Sequence, residues 1–150
     1  MVGVNYYWTN QWELGAAREP LQPDDPRRVS LTRLVRRVWQ RYGHEMLITE
    51  TAHVHEQRSS WIRYVADECE NLLNDDIPLR GVCLYPILGM PEWHSPDQWV
   101  RMGLWDILHD HPALSRQLFA PMWEALQHAQ RLNFHQGLTS SPESLARAAP

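Results

Sequence analysis

Short apolar runs and amphipathic stretches alternate along the chain in a regular order. Residues 2–7 form a β-branched and aromatic run that predicts a first strand. The polar stretch 9–28 follows, where Pro20, Pro23 and Pro26 block regular structure. Leu31, Leu34, Val35, Val38, Trp39 and Tyr42 then recur at helical spacing and predict a helix with one apolar stripe. Ser30 stands where an N-cap belongs and Gly43 where a left-handed stop belongs. Residues 45–50 read as a buried strand with a polar end. A second helix is predicted over 56–74, with Trp61, Ile62, Val65, Cys69, Leu72 and Leu73 facing inward. Leu79–Leu84 is the third strand, almost wholly apolar. A loop rich in Trp, Pro, Asp and His covers 86–105, and Pro112 then predicts the start of a third helix. Leu114, Leu118, Met122, Leu126 and Ala129 fall near one stripe of it. Residues 137–150 are small and polar, the composition of a flexible tail.

Apolar strands joined by helices belong to a parallel sheet, so the expected class is α/β. In such sheets chemistry gathers at the C-terminal ends of the strands. Asn5, Tyr6, Tyr7 and Trp8, then Glu50, then Tyr85 occupy those ends. A carboxylate that ends an apolar strand is costly to desolvate without partners, which singles out Glu50.

Composition narrows the chemistry. The chain is 43% hydrophobic and 21% charged, as soluble globular proteins are. A net charge of −4 gives no reason to expect nucleic acid or an anionic membrane as partner. All 14 basic residues are Arg, which excludes a Schiff-base or phosphate-loop lysine within these residues. Cys69 and Cys83 lack metal-site spacing and are expected as reduced core thiols. The pairs His53-x-His55 and His109-x-His111 give no reason to expect a metal, and no cofactor is implied. There is neither an apolar run of membrane-spanning length nor a signal-peptide pattern, so the expected compartment is the cytoplasm. At 150 residues the chain falls short of the roughly 250 of a complete (β/α)8 barrel.

The three strand ends resemble, in order, the last three strands of glycoside hydrolase family 1 and related clan A barrels. Val2-Gly3-Val4-Asn5-Tyr6-Tyr7 is similar to the family's G-x-N-Y-Y motif on its sixth strand. Leu47-Ile48-Thr49-Glu50 is similar to the I-T-E motif of the seventh, and Gly81 through Trp93 can be laid without a gap on the eighth, which ends in Glu-Trp. Arg101, Gly103, Leu104 and Asp106 then fall where the family has its R-F-G-L run and a following Asp. The resemblance covers most of residues 2–106. It implies a partial (β/α)8 barrel made of the last three strand–helix units, with 1–136 as the C-terminal part of the barrel and 137–150 as tail.

By the same resemblance the protein is part of a retaining β-glycosidase that hydrolyses O-glycosidic bonds. Glu50 would be the nucleophile and Tyr7 the tyrosine that hydrogen-bonds it. Glu92 and Trp93 match the pair that binds the glycone hydroxyls, and Asn5 counts among the substrate-binding residues. Trp8, Tyr85 and Trp99 are candidates for the apolar floor under a pyranose face, and His53 lines the pocket. The implied ligand is a β-linked saccharide or glycoside.

The sequence also departs from the family. Thr51-Ala52-His53 stands where Asn-Gly usually follows the nucleophile, Tyr85-Pro86 where Trp-Ser is usual, and Gly89 where an Asp precedes the sugar-binding Glu. The family's general acid/base lies in an Asn-Glu-Pro motif, and these residues contain none. Taken alone, the chain is therefore expected to be inactive. Either a missing N-terminal barrel segment completes it, or it associates with itself through an open sheet edge. The alternative is a carbohydrate-binding or scaffold protein that kept the fold and lost catalysis. Both readings expect three parallel strands with open edges, helices on one face, and Glu50 beside Tyr7.

Overall fold

The computed structural model describes residues 1–15, 19–108 and 114–137, with side chains described through residue 132. Strand β1 (Val2–Asn5) leads through the proline-rich stretch to helix α1 (Leu31–Tyr42) and strand β2 (Met46–Thr51). A single 3₁₀ turn, His55–Gln57, opens directly into α2 (Arg58–Asn74), and β3 (Leu79–Leu84) follows. Four short strands come next: β4 (Met90–Pro91), β5 (Trp99–Val100), β6 (Trp105–Ile107) and β7 (Arg116–Leu118). The last described element is α3 (Ala120–Gly137).

The sheet has the order β1-β2-β3, and both pairings are parallel, as expected. Val2 pairs with Met46 and Val4 with Ile48, after which the register shifts so that Asn5 meets Glu50. Alternation along a strand sends neighbouring residues to opposite faces. Met46 and Ile48 are fully buried under the helices, where they join Leu31, Val35, Trp61, Val65, Cys69, Leu72 and Ile77 in the main core. Leu47 and Thr49 point to the other face and are only half-buried. A second cluster joins Ile62 of α2 to Met122 and Ala125 of α3, with Leu104 and Leu84 packed in.

Helix α1 ends where its signals place it. The Ser30 hydroxyl accepts a hydrogen bond from the Arg33 amide at 3.2 Å, a cap that contributes about 1 kcal/mol. Gly43 takes the left-handed conformation at φ 66° and donates to the Trp39 carbonyl. Tyr42 departs from the expected stripe: it is 54% exposed and lies under the Arg41 guanidinium. Thr32, outside the stripe, is buried instead. Its hydroxyl donates to the Glu68 carbonyl and its amide to the Glu68 carboxylate, tying α1 to α2.

Two expectations need correction. Cys83 of β3 is an exposed thiol rather than a core one, and its neighbour Val82 is 37% exposed. An outer strand with one neighbour cannot be covered as a central one is. The third helix begins at Ala120, well after the expected start. Leu118 belongs to β7, whose partner is β6, in an antiparallel ribbon that pairs Trp105 with Leu118 and Ile107 with Arg116. Leu114, with φ 46°, precedes the ribbon and is exposed. Pro121, in the first turn, is the proline that starts this helix, since its missing N–H costs nothing there. Pro112, His109 and His111 lie outside the described residues, and so does almost all of the 137–150 tail.

Candidate active site

The ends of β1 and β2 meet because the register shift brings Asn5 opposite Glu50, and the Tyr6 amide then donates to the Glu50 carbonyl at 2.9 Å. Tyr6 turns into the core, where it is 4% exposed and stacks on Trp61 at 5.5 Å. Its neighbour Tyr7 must therefore face the other way. There the Tyr7 hydroxyl donates to Glu50 Oε2 at 2.8 Å. Burial, with the Glu50 carboxylate beside it, pushes the Tyr7 pKa well above the usual phenol value. The phenol stays protonated and remains a donor.

Around this pair stands a row of rings. Trp8 lies edge-on to Tyr7 at 6.3 Å and stacks on His53 at 4.6 Å with 25° between the planes. His53 in turn meets Trp61 edge-on, and Trp61 is fixed by an indole N–H bond to the buried Thr51 hydroxyl at 2.8 Å. Asn5 accepts from the Thr49 hydroxyl at 2.6 Å, on the half-open face of the sheet. Tyr85, at the end of β3, is 41% exposed and joined to β2 through its amide and the Thr51 carbonyl.

Glu92 and Trp93 stand apart from this group. Both amides that follow, those of His94 and Ser95, donate to Glu92 Oε2 at 2.6 and 2.8 Å, so the carboxylate caps its own loop. Trp93 is 76% exposed. Neither is joined to Tyr7, Glu50, Trp8 or His53 by a hydrogen bond or ring contact among the described residues. The glycine at 89 has a local reason: a Cβ there would come within 2.9 Å of the Trp99 indole nitrogen and 3.0 Å of the Val100 carbonyl oxygen. A larger side chain would push the Trp99 ring off this loop.

Two arginines that the sequence reading did not single out hold the site together. Arg28 donates to the Trp8 and Leu21 carbonyls and to the Tyr6 hydroxyl, which pins the proline-rich stretch against the end of β1. Arg58 is 1% exposed. It donates to the His55 and Gly103 carbonyls and forks onto both oxygens of Asp106, and its guanidinium lies 3.8 Å from the centre of the Phe119 ring. The local pattern marks neither residue as special, because an arginine in a polar loop or a first helical turn ordinarily reads as solvated. Among the described residues, no three His, Cys, Asp or Glu side chains converge so as to hold a metal ion. No described helix is long and apolar enough to cross a membrane.

Solved structures share this arrangement of strands and helices. A β-glucosidase from Thermotoga maritima in complex with noeuromycin superposes with a TM-score of 0.63, at 17% identity, over 87% of this chain and 34% of its own. A β-glucosidase from Exiguobacterium marinum gives 0.61 at 15% identity, over 86% of this chain and 34% of its own. An aphid myrosinase gives 0.56 at 17% identity, over 66% and 23%. The fold is a partial (β/α)8 barrel. Its structural neighbours are barrel glycosidases, and the present chain spans about a quarter to a third of their length. No family model matches the sequence, and no curated protein matches it either. The likeness is therefore one of fold. In a closed barrel every strand has two neighbours; here β1 and β3 each have one.

Proposed function

We propose that this chain carries the nucleophile side of a retaining β-glycosidase site. The observation that supports this most directly is the Tyr7–Glu50 hydrogen bond at the C-terminal ends of two parallel strands, in a partial barrel folded like those of β-glucosidases. Glu50 attacks the anomeric carbon of a β-linked saccharide, and the glycosidic oxygen departs with the bonding electron pair. The glycosyl ester formed on Glu50 is then hydrolysed, which restores the carboxylate. Tyr7 keeps the attacking oxygen ionised and aimed. Trp8 and Tyr85 offer apolar faces to the sugar ring and Asn5 and His53 offer polar contacts, while Glu92 and Trp93 would reach the sugar only if their loop turned toward it. Departure of the glycosidic oxygen needs a second carboxyl group about 5–5.5 Å from the first. On this reading that group belongs to a part of the barrel outside these residues.

The test exploits a leaving group that needs no protonation. A dinitrophenyl β-glucoside fluorinated beside the anomeric carbon should leave its sugar on the peptide that contains Glu50, as read by mass spectrometry after digestion. A label on another peptide would refute the assignment. Tyr7→Phe removes one hydrogen bond to a charged acceptor, an interaction whose loss slows reaction roughly 10- to 150-fold. The rate constant for labelling should fall by that much while the fold is kept, and an unchanged rate would show that Tyr7 only fills space.

One observation favours the reading of a sugar-binding protein without hydrolysis: the Glu92 carboxylate is already taken up by its own loop. Saturable sugar binding with no covalent label at all would establish that reading instead.

A further inference from the structure

His53 lies three residues past Glu50, and the structure gives its ring a specific chemistry. We infer that His53 is a neutral imidazole with its proton held on Nε2, and that this N–H donates to a hydroxyl of the bound sugar. The inference deepens the functional reading above and rests on it.

The tautomer follows from the neighbours of the ring. The Val54 amide donates to Nδ1 at 2.8 Å. The Val54 carbonyl oxygen also lies near Nδ1, at 3.3 Å, and by itself would favour a proton there. The two contacts conflict, because a protonated Nδ1 has no lone pair to offer the amide. The amide contact is the shorter by half an ångström or so and leaves Nδ1 as the acceptor, which puts the proton of the neutral ring on Nε2. Burial of the ring disfavours the imidazolium and outweighs the Val54 carbonyl, which would favour it; the nearby positive charge of Arg28 adds to the effect of burial.

The ring is also held still. Trp8 covers one side of it and Trp61 meets it edge-on. The Trp61 indole is tied to the Thr51 hydroxyl, and the Trp8 backbone is held by Arg28. Nε2 makes no hydrogen bond among the described residues, yet none of the described side chains has a buried polar atom left without a partner. The Nε2 atom is therefore open to solvent or to a ligand. A fixed donor beside an indole, one ring away from the Tyr7–Glu50 pair, suits a polyhydroxylated ring that has an apolar face and hydroxyl edges.

The test needs the isotopically labelled full chain and long-range hydrogen–nitrogen correlation at neutral pH. The expected result is a neutral His53 with Nε2 protonated, and with both ring nitrogens shifting when methyl β-D-glucopyranoside is added. Replacement by phenylalanine (His53→Phe) keeps the stack and removes the donor, so the dissociation constant for that glucoside should rise roughly 2- to 12-fold. A proton on Nδ1, or an imidazolium at neutral pH, would overturn the inference without recourse to any variant. So would a titration that moves the Tyr7 and Glu50 resonances and leaves His53 in place, an outcome that keeps the sugar site but assigns its donor elsewhere. If the glucoside perturbs nothing, the sugar site and this inference fall together. If His53 responds but Glu50 is never labelled by the fluorinated reagent, only the catalytic reading fails.

Discussion

Replacing Arg58 by methionine should cost about 3–5 kcal/mol of folding stability, the range found when one partner of a buried ion pair is removed. The guanidinium serves four groups that lie in different parts of the chain: the His55 carbonyl, the Gly103 carbonyl, the Asp106 carboxylate and the Phe119 ring. Methionine fills much of the volume but donates nothing, so two carbonyls and a carboxylate that is only 15% exposed lose their partner. The surroundings cannot easily close on the gap. Gly103 already touches the neighbouring loop through its backbone, and a Cβ there would sit 2.4 Å from the Leu88 carbonyl carbon. Urea denaturation followed by circular dichroism measures the loss. Asp106→Leu added to Arg58→Met should recover part of it, because the stranded charge is gone. A single variant that unfolds at the wild-type midpoint would show that the pair contributes nothing.

Glu50→Gln should abolish covalent labelling and leave the fold intact. The amide has nearly the same shape, and its oxygen can still accept from the Tyr7 hydroxyl that now bonds Glu50 Oε2. Stability should therefore stay within about 1 kcal/mol of wild type. Nucleophilicity does not survive the change, because the amide carries no negative charge to form the ester or to face a developing positive charge. Loss of a covalent nucleophile costs on the order of 10⁶-fold in turnover in a serine protease, so label should fall below detection. The check is mass spectrometry of the Glu50 peptide beside a circular dichroism melt of the same sample. Full labelling of the glutamine variant would place the nucleophile elsewhere.

The framework was legible where short-range rules decide the structure. The α1 stripe with Ser30 and Gly43 at its ends, the bounds of β3 and the parallel order of the strands all follow from periodicity, capping and the helix between successive strands. The meeting of Tyr7 with Glu50 was legible in another way, through the resemblance of the two strand ends to the family's motifs, and the structure bears out the contact itself. What could not be read depends on partners distant in the chain. Arg58 becomes a core residue only because Asp106 and Gly103 arrive from beyond β3. The β6–β7 ribbon resembles helix in its apolar spacing, since Leu114 and Leu118 also fit a helical stripe, and only the pairing across from Trp105 to Ile107 decides otherwise. The exposure of Cys83 was hidden as well: a cysteine in an apolar strand reads as a core thiol whether or not the strand has a second neighbour.

The parallel sheet also bears on how quickly the chain reaches this structure. Val2 must find Met46, and Met46 must find Leu79, with no hairpin anywhere in the three strands to begin the pairing locally. Each pairing closes a long loop before any of its hydrogen bonds form, a search that α1 and α2 would shorten if they formed early. Folding should accordingly be slower than that of a helical bundle of equal length, and a stopped-flow trace would read the difference directly. Until the strands are joined, Met46 and Ile48, which the finished fold buries, lie open to other chains, so a slower search should leave more of the protein exposed to aggregation.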